Sequence, residues 1–156
     1  NLINTGKKLV EIVSFVFMPN HWHFLLKQEI DSGISNFISK FSNSYTRYFN
    51  TKHNRVGPLF QGSFKSVLVE TEEQLLHLSR YIHINPVVSV IIKKDDLLNY
   101  PWSSYPQYFE PHPAIVNPSP ILSLFNKSFD YKSFVSNHID YTERIALIRH
   151  QTIDLE

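Results

Sequence analysis

Two apolar runs separated by turn chemistry stand near the start of the chain. Val10, Ile12, Val13, Phe15, Val16 and Phe17 form a nearly continuous series of β-favouring residues, so Val10–Met18 reads as a strand. Pro19 and Asn20 make a turn pair. From His21 to Lys27 the pattern predicts a second strand, with His21, His23, Leu25 and Lys27 on one face and Trp22, Phe24 and Leu26 on the other. The simplest arrangement of the two is an antiparallel hairpin.

The period then lengthens. Ile34, Ile38, Phe41, Tyr45, Tyr48 and Phe49 recur at three- and four-residue steps, predicting a helix from about Gly33 to Lys52 with one buried stripe and Asp31 or Ser32 as its cap. Residues 53–58 read as a loop in which Gly57 suits a sharp turn. Phe64–Val69 is a short strand candidate. Thr71-Glu72-Glu73-Gln74 has the spacing of a capping box, and opens a helix carrying Leu75, Leu76, Leu78, Tyr81 and Ile82. Pro86 is expected to end it, because proline disfavours helical geometry in the residue before it. Beyond Leu97 come a Pro/Tyr/Ser-rich segment (100–108), a proline-punctuated linker (111–120) and weak helical patterns from Ile121 to Ile153. No internal repeat and no low-complexity tract is present.

Composition narrows the class. The chain has 156 residues, enough for one domain with a small appendage, and 42% hydrophobic with 19% charged residues places it among globular proteins. No apolar run approaches the ~20 residues that span a bilayer, so no membrane association is expected. The absence of cysteine removes disulfides, thiolate metal sites and cysteine nucleophiles, and fits a cytoplasmic protein. No signal peptide is legible. The chain opens on Asn1 rather than Met, as a trimmed protein or a piece of a longer product would.

A net charge of +1 says little about partners, but its distribution says more. Between Asp31 and Glu70 there is no acidic residue, whereas Lys40, Arg47, Lys52, His53, Arg55 and Lys65 lie in that stretch, interleaved with aromatics. A phosphate backbone would need such a surface, although a solvated helix face has the same composition.

Three groups could carry chemistry. His21 and His23 are two apart on a strand, so their imidazoles sit side by side and can hold one divalent ion, with Trp22 anchoring the opposite face. Two histidines alone are not specific, and taken by themselves they fit surface or hydrogen-bonded residues better than a metal site. Tyr81 and Asn85 are four apart on a helix and share a face. The phenol can act as a nucleophile, and the amide oxygen suits a hard cation such as Mg²⁺ or Mn²⁺. Their bland counterparts are a core-edge tyrosine and a helix-ending turn residue. His77, one turn before Tyr81, is a further polar candidate on that stripe. Finally, the glycines of the 57–65 segment permit close approach to a ligand, with Gln61 and Lys65 in reach of phosphate or base edges. A strand entry with aromatic packing would read the same way.

Four motifs occur in order: Phe17-Met18-Pro19-Asn20-His21-Trp22-His23-Phe24-Leu25-Leu26, Gly57-Pro58-Leu59-Phe60-Gln61-Gly62-Ser63-Phe64-Lys65, Tyr81-Ile82-His83-Ile84-Asn85-Pro86-Val87, and Tyr100-Pro101-Trp102-Ser103-Ser104-Tyr105. In this order and spacing the chain closely resembles the REP-associated tyrosine transposases, relatives of the single-strand insertion-sequence transposases with one catalytic tyrosine. The resemblance spans roughly Val10 to Tyr105.

It implies an α+β, ferredoxin-like antiparallel sheet with helices packed on it. A catalytic domain would occupy 1–108, and a helical C-terminal extension 109–156. In the family another strand and helix precede the segment that begins here at Asn1, so the resemblance also implies that the N-terminal strand is missing. His21 and His23 match the family's histidine-hydrophobic-histidine metal pair, Tyr81 its nucleophile, and Asn85 the place of a third metal-coordinating side chain. The implied reaction cleaves and rejoins single-stranded DNA beside hairpins through a 5′-phosphotyrosine, with Mg²⁺ or Mn²⁺ as cofactor, in a monomer or homodimer. Lys40, Arg47, Lys52, Arg55, Gln61 and Lys65 are the candidate DNA contacts. Two other readings stand beside it: a non-catalytic DNA-hairpin-binding protein derived from a transposase, and a metal hydrolase that uses water and leaves Tyr81 structural.

Overall fold

The computed structural model describes residues 7–127 and 130–139. The chain is α+β, with a two-stranded antiparallel sheet of β1 (Val10–Phe17) and β2 (Trp22–Gln28). The expected hairpin turn forms at Pro19-Asn20, closed by the Met18 amide donating to the His21 carbonyl at 2.8 Å. Two longer helices follow, α1 (Gly33–Lys52) and α2 (Glu72–Val88). Then come two 3-10 turns at Lys94–Asn99 and Pro106–Phe109, a four-residue helix α3 (Ser119–Leu122), and a helix α4 over 130–139.

Two compact units share this chain: Asn1–Glu11 with Leu26–Val69, and Ile12–Leu25 with Glu70–Glu156. In the first, α1 begins without the expected cap. Ser32 sits in the left-handed region (φ 58°) and its side chain makes no capping bond. The Gln28 side chain takes that role, its Oε1 accepting from the Ile34 amide at 3.2 Å. Gly33 is required by close approach, since a Cβ there would collide with the Leu9 carbonyl oxygen. Gly33→Ala is therefore expected to lower stability by about 1–3 kcal/mol, the usual cost of overpacking. Urea denaturation checks this, and an unchanged midpoint would mean that the chain does not close on itself there.

The stripe predicted for α1 is not buried along its length. Gly33 and Ile38 are buried, whereas Tyr45 and Tyr48 are exposed and lie against neighbouring aromatic rings. Periodicity identifies a face, but burial needs a covering layer, and over the second half of α1 the described residues supply none of that depth. The Phe64–Val69 candidate likewise does not become a strand. Among the described residues it has no ladder partner, and Val67 and Leu68 are 85% and 77% exposed. Strand-forming residues remain irregular when no backbone is offered to their N–H and C=O groups.

The second unit holds most of the core. Trp22 and Phe24 of β2 and Phe15 and Phe17 of β1 form one aromatic cluster, with ring centroids 5.2–6.3 Å apart. This matches the face predicted for Trp22 and Phe24. Residues 100–105 lie along the other edge of β1. The Phe17 amide donates to the Trp102 carbonyl at 2.7 Å, Val16 and Ser103 form an antiparallel bridge, and the Ser104 amide donates to the Phe15 carbonyl at 3.0 Å.

Helix α2 starts as predicted, with Thr71 Oγ1 accepting from the Gln74 amide at 3.1 Å, while Gln74 Oε1 reaches back to the Glu70 amide at 2.9 Å. It does not end at Pro86. Proline so near the helix end forfeits one intrahelical bond, and burial of Pro86 and Val87 offsets that loss. The Pro86 carbonyl then accepts from the Ile91 amide at 2.9 Å and closes the turn beyond the helix. In α4, Tyr131, Val135 and Ile139 recur every four residues and are all buried. Phe125, Tyr131 and Phe134 pack together, whereas the predicted helical pattern beyond 139 lies outside the described residues.

Candidate active site

His21, His23, Tyr81 and Asn85 all belong to the second unit. The alternation of β2 puts His21 and His23 on the same side, with ring centroids 4.9 Å apart and planes nearly perpendicular. Tyr81 comes from α2, and its ring meets His23 edge-on at 5.6 Å. Strand alternation and helix period therefore converge on one small cluster of two imidazoles and a phenol. Tyr81 remains 51% exposed, which leaves its phenol open to solvent.

Each imidazole is prepared differently. His21 is exposed, and its Nδ1 lies 2.6 Å from Asn20 Oδ1. An amide oxygen can only accept, so this bond puts the proton on Nδ1 and leaves a lone pair on Nε2. His23 is half-buried, and its Nε2 is buried without a hydrogen-bond partner among the described residues. Burial lowers the His23 pKa, and the neighbouring His21 lowers it further, which favours a neutral ring with an available lone pair. A buried polar atom without a partner is costly in a protein that has no use for it.

These features fit a divalent cation between the two imidazoles. Among the described residues no group of three histidine, aspartate, glutamate or cysteine side chains forms a fuller site. Asn85 lies one turn beyond Tyr81, is buried, and accepts from Ser89 Oγ at 3.3 Å through its Oδ1. That bond runs along its own helix and occupies one of the two lone pairs on the oxygen. His77 pairs with Arg80 at 2.7 Å and with Glu73 at 3.7 Å, and the Arg80 guanidinium stacks on Phe134 at 4.2 Å.

The six cationic and amide candidates, Lys40, Arg47, Lys52, Arg55, Gln61 and Lys65, are all exposed and all belong to the first unit. Arg55 turns two guanidinium nitrogens inward, onto Asn50 Oδ1 at 3.0 Å and the Pro58 carbonyl at 3.1 Å.

Two residues escaped the sequence reading. Asn20 appears there only as turn chemistry, although its position next to His21 is the available signal for a side chain that orients an imidazole. His83 is the other. It follows Tyr81 by two residues, about 200° around the helix, and so points away from the phenol. Its ring is fully buried, with Nδ1 at 2.7 Å from Tyr131 Oη and Nε2 at 2.8 Å from Ser104 Oγ. Tyr131 Oη donates onward to Ser79 Oγ at 3.2 Å, and Ser104 Oγ accepts from the Phe15 amide at 2.8 Å. A single polar network therefore joins α2, α4, Ser104 and β1 behind the helix face that carries Tyr81.

Comparison with known proteins finds one family. The family described as Transposase IS200 like matches residues 4–85, just over half of the chain and a stretch that contains both histidines, Tyr81 and Asn85. No curated protein and no solved structure matches.

Proposed function

Because the chain belongs to the IS200-like transposase family, whose chemistry is phosphoryl transfer on DNA, we propose that it cleaves and rejoins single-stranded DNA beside hairpins through a phosphotyrosine on Tyr81. The observation that carries this reading is the convergence of His21, His23 and the exposed Tyr81 phenol within one cluster.

His21 Nε2 and His23 Nε2 would hold the cation, Mg²⁺ or Mn²⁺, with Asn85 as a third ligand. A metal bound there would polarise the scissile phosphate and stabilise charge on the departing 3′ oxygen. Asn20 orients the His21 ring through Nδ1. His23 packs against the tyrosine ring and limits where the phenol can go.

Tyr81 Oη attacks the phosphorus, the bond from phosphorus to the 3′ oxygen breaks, and the phenolic proton is transferred in net terms to that oxygen. The products are a 5′-phosphotyrosine and a free 3′-OH. One phosphodiester replaces another, so attack by a 3′-OH on the phosphotyrosine reverses the step without ATP. The exposed cations of the first unit, Lys40, Arg47, Lys52 and Lys65, supply phosphate contacts, with Arg55 and Gln61 on the same loop.

The test is a stem-loop oligonucleotide with single-stranded flanks, labelled at its 3′ end and incubated with the full chain and Mn²⁺. The label should migrate with the protein under denaturing conditions, because the downstream fragment stays attached through its 5′ phosphate. Cleavage without an attached label would instead assign the reaction to water. Binding without cleavage would leave a hairpin-binding protein.

The metal assignment has its own readout. Calorimetric titration with Mn²⁺ in the absence of DNA should show affinity lost in His21→Ala and His23→Ala. In Asn20→Ala it should weaken by about 10–100-fold, the usual range for removing a partner that orients a ligand. Unchanged affinity in both histidine variants would remove the metal from this site.

A further inference from the structure

The second half of α1 and the loop after it carry an arrangement that the cleavage chemistry does not use. Tyr45 and Tyr48 are 44% and 58% exposed, although they sit on a stripe whose spacing predicts burial. Their rings are 6.4 Å apart, and Tyr45 lies 6.1–6.2 Å from both Phe49 and Phe60. Phe60 is brought back to the helix by a braced loop. Asn50 Nδ2 donates to the Gly57 carbonyl at 2.8 Å, and Arg55 ties Asn50 to the Pro58 carbonyl. Gly57 has φ 94°, a conformation that side chains other than glycine rarely adopt. Lys52 Nζ lies 5.6 Å from the centre of the Tyr48 ring and donates to Tyr48 Oη at 3.3 Å. The His53 ring lies tilted against Phe49, with centroids 4.3 Å apart.

Exposed aromatic rings are costly unless something covers them, and charge identifies the partner. No acidic residue occurs between Asp31 and Glu70, so a polyanion meets this surface without repulsion. Flat apolar rings interleaved with cations are the chemistry of single-stranded nucleic acid recognition, in which bases stack on the rings and phosphates meet the charges.

We infer that Tyr45, Tyr48 and Phe60 form a platform on which unpaired bases of single-stranded DNA stack, with Lys52 beside Tyr48 on the backbone. This rests on the reading of the chain as an enzyme acting on single-stranded DNA, and it adds base contacts to the phosphate contacts assigned above. Arg55 acts here as a positioning residue, holding the loop that presents Phe60. Since stacking needs only a π face, the platform is tolerant of sequence and selects unpaired over paired DNA.

The test measures affinity of the full chain for a single-stranded oligonucleotide, for its duplex, and for an abasic version with the same phosphates. Tyr45→Ala and Tyr48→Ala should each weaken binding to the single strand by about tenfold. Tyr48→Trp should retain wild-type affinity. The salt dependence should stay unchanged, because no phosphate contact is lost. On the abasic oligonucleotide the wild type should bind as weakly as the variants.

Wild-type affinity in both alanine variants overturns the platform, as does an equal loss on normal and abasic DNA or tighter binding of the duplex. Tighter binding of single-stranded RNA of the same sequence also overturns it, by assigning the surface to a different polymer. The covalent assay separates this inference from the cleavage reading. An adduct that forms with full affinity in the tyrosine variants rejects the platform and keeps the enzyme. Platform-dependent binding without an adduct keeps the platform and rejects the phosphotyrosine.

Discussion

Tyr81→Phe is expected to abolish the covalent protein–DNA species while leaving the fold and single-stranded DNA binding intact. The substitution removes one oxygen from a half-exposed ring and keeps its edge-on contact with His23. Among the described residues the Tyr81 hydroxyl makes no hydrogen bond that supports the core, so thermal stability should change by less than about 0.5 kcal/mol, as at surface sites generally. Cleavage should fall at least about a thousandfold, because without the nucleophile only binding and polarisation of the phosphate remain. Adduct yield on a denaturing gel, read beside an affinity measurement, separates the two effects. If the phenylalanine variant still forms the adduct, another tyrosine is the nucleophile, and Tyr45 and Tyr48 are the exposed candidates.

Acid should destabilise the protein through His83. Burial holds its pKa down to about 3, against 6.5 for the ordinary side chain. Among the described residues the polar groups around it are Tyr105, Tyr108, Tyr131, Ser79 and Ser104, none of which supplies a compensating negative charge. Burial raises the pKa of all three phenols, Tyr105 to about 12, so they stay neutral throughout the range. The network is satisfied with a neutral imidazole: Nδ1–H donates to Tyr131, which donates to Ser79, and Ser104 donates to Nε2.

The sign follows from the depressed value. The unfolded chain binds a proton at this histidine below about pH 6.5, and the folded chain only below about 3. Stability from this source is complete above about 6.5 and falls as the pH drops toward 3, by on the order of 3–6 kcal/mol in all. Denaturation at pH 7 and 4.5 should show a loss in the wild type larger by roughly 3 kcal/mol than the loss in His83→Gln. The remaining titrating groups are common to both proteins and cancel in that comparison. An NMR titration of the His83 ring provides a second reading, and protonation near pH 6 would contradict the buried neutral network.

The structure divides sharply into what local pattern could and could not anticipate. The hairpin, the side on which each histidine lies, the start of α2 and the shared face of Tyr81 and Asn85 follow from periods of two and 3.6 and from turn and cap chemistry. The failures arise where a second segment decides. Ser32 does not cap α1, because Gln28 already supplies the acceptor. Pro86 lies inside α2, because its burial compensates the missing bond. Phe64–Val69 has strand composition but, among the described residues, no neighbouring ladder. The stripe on α1 has core periodicity yet ends as an exposed aromatic surface, which bears more on function than the predicted burial would have.

For the candidate site the same division holds. Residue types and spacing by themselves determined that this chain has an imidazole pair, and a phenol and amide on one helix face, since side-chain direction follows from backbone period alone. Only the tertiary structure decided that the phenol meets the pair, that His23 carries a buried nitrogen with no partner among the described residues, and that His83 anchors the opposite side of the tyrosine helix. Those facts depend on distances between residues far apart in the chain, which packing sets and periodicity does not encode.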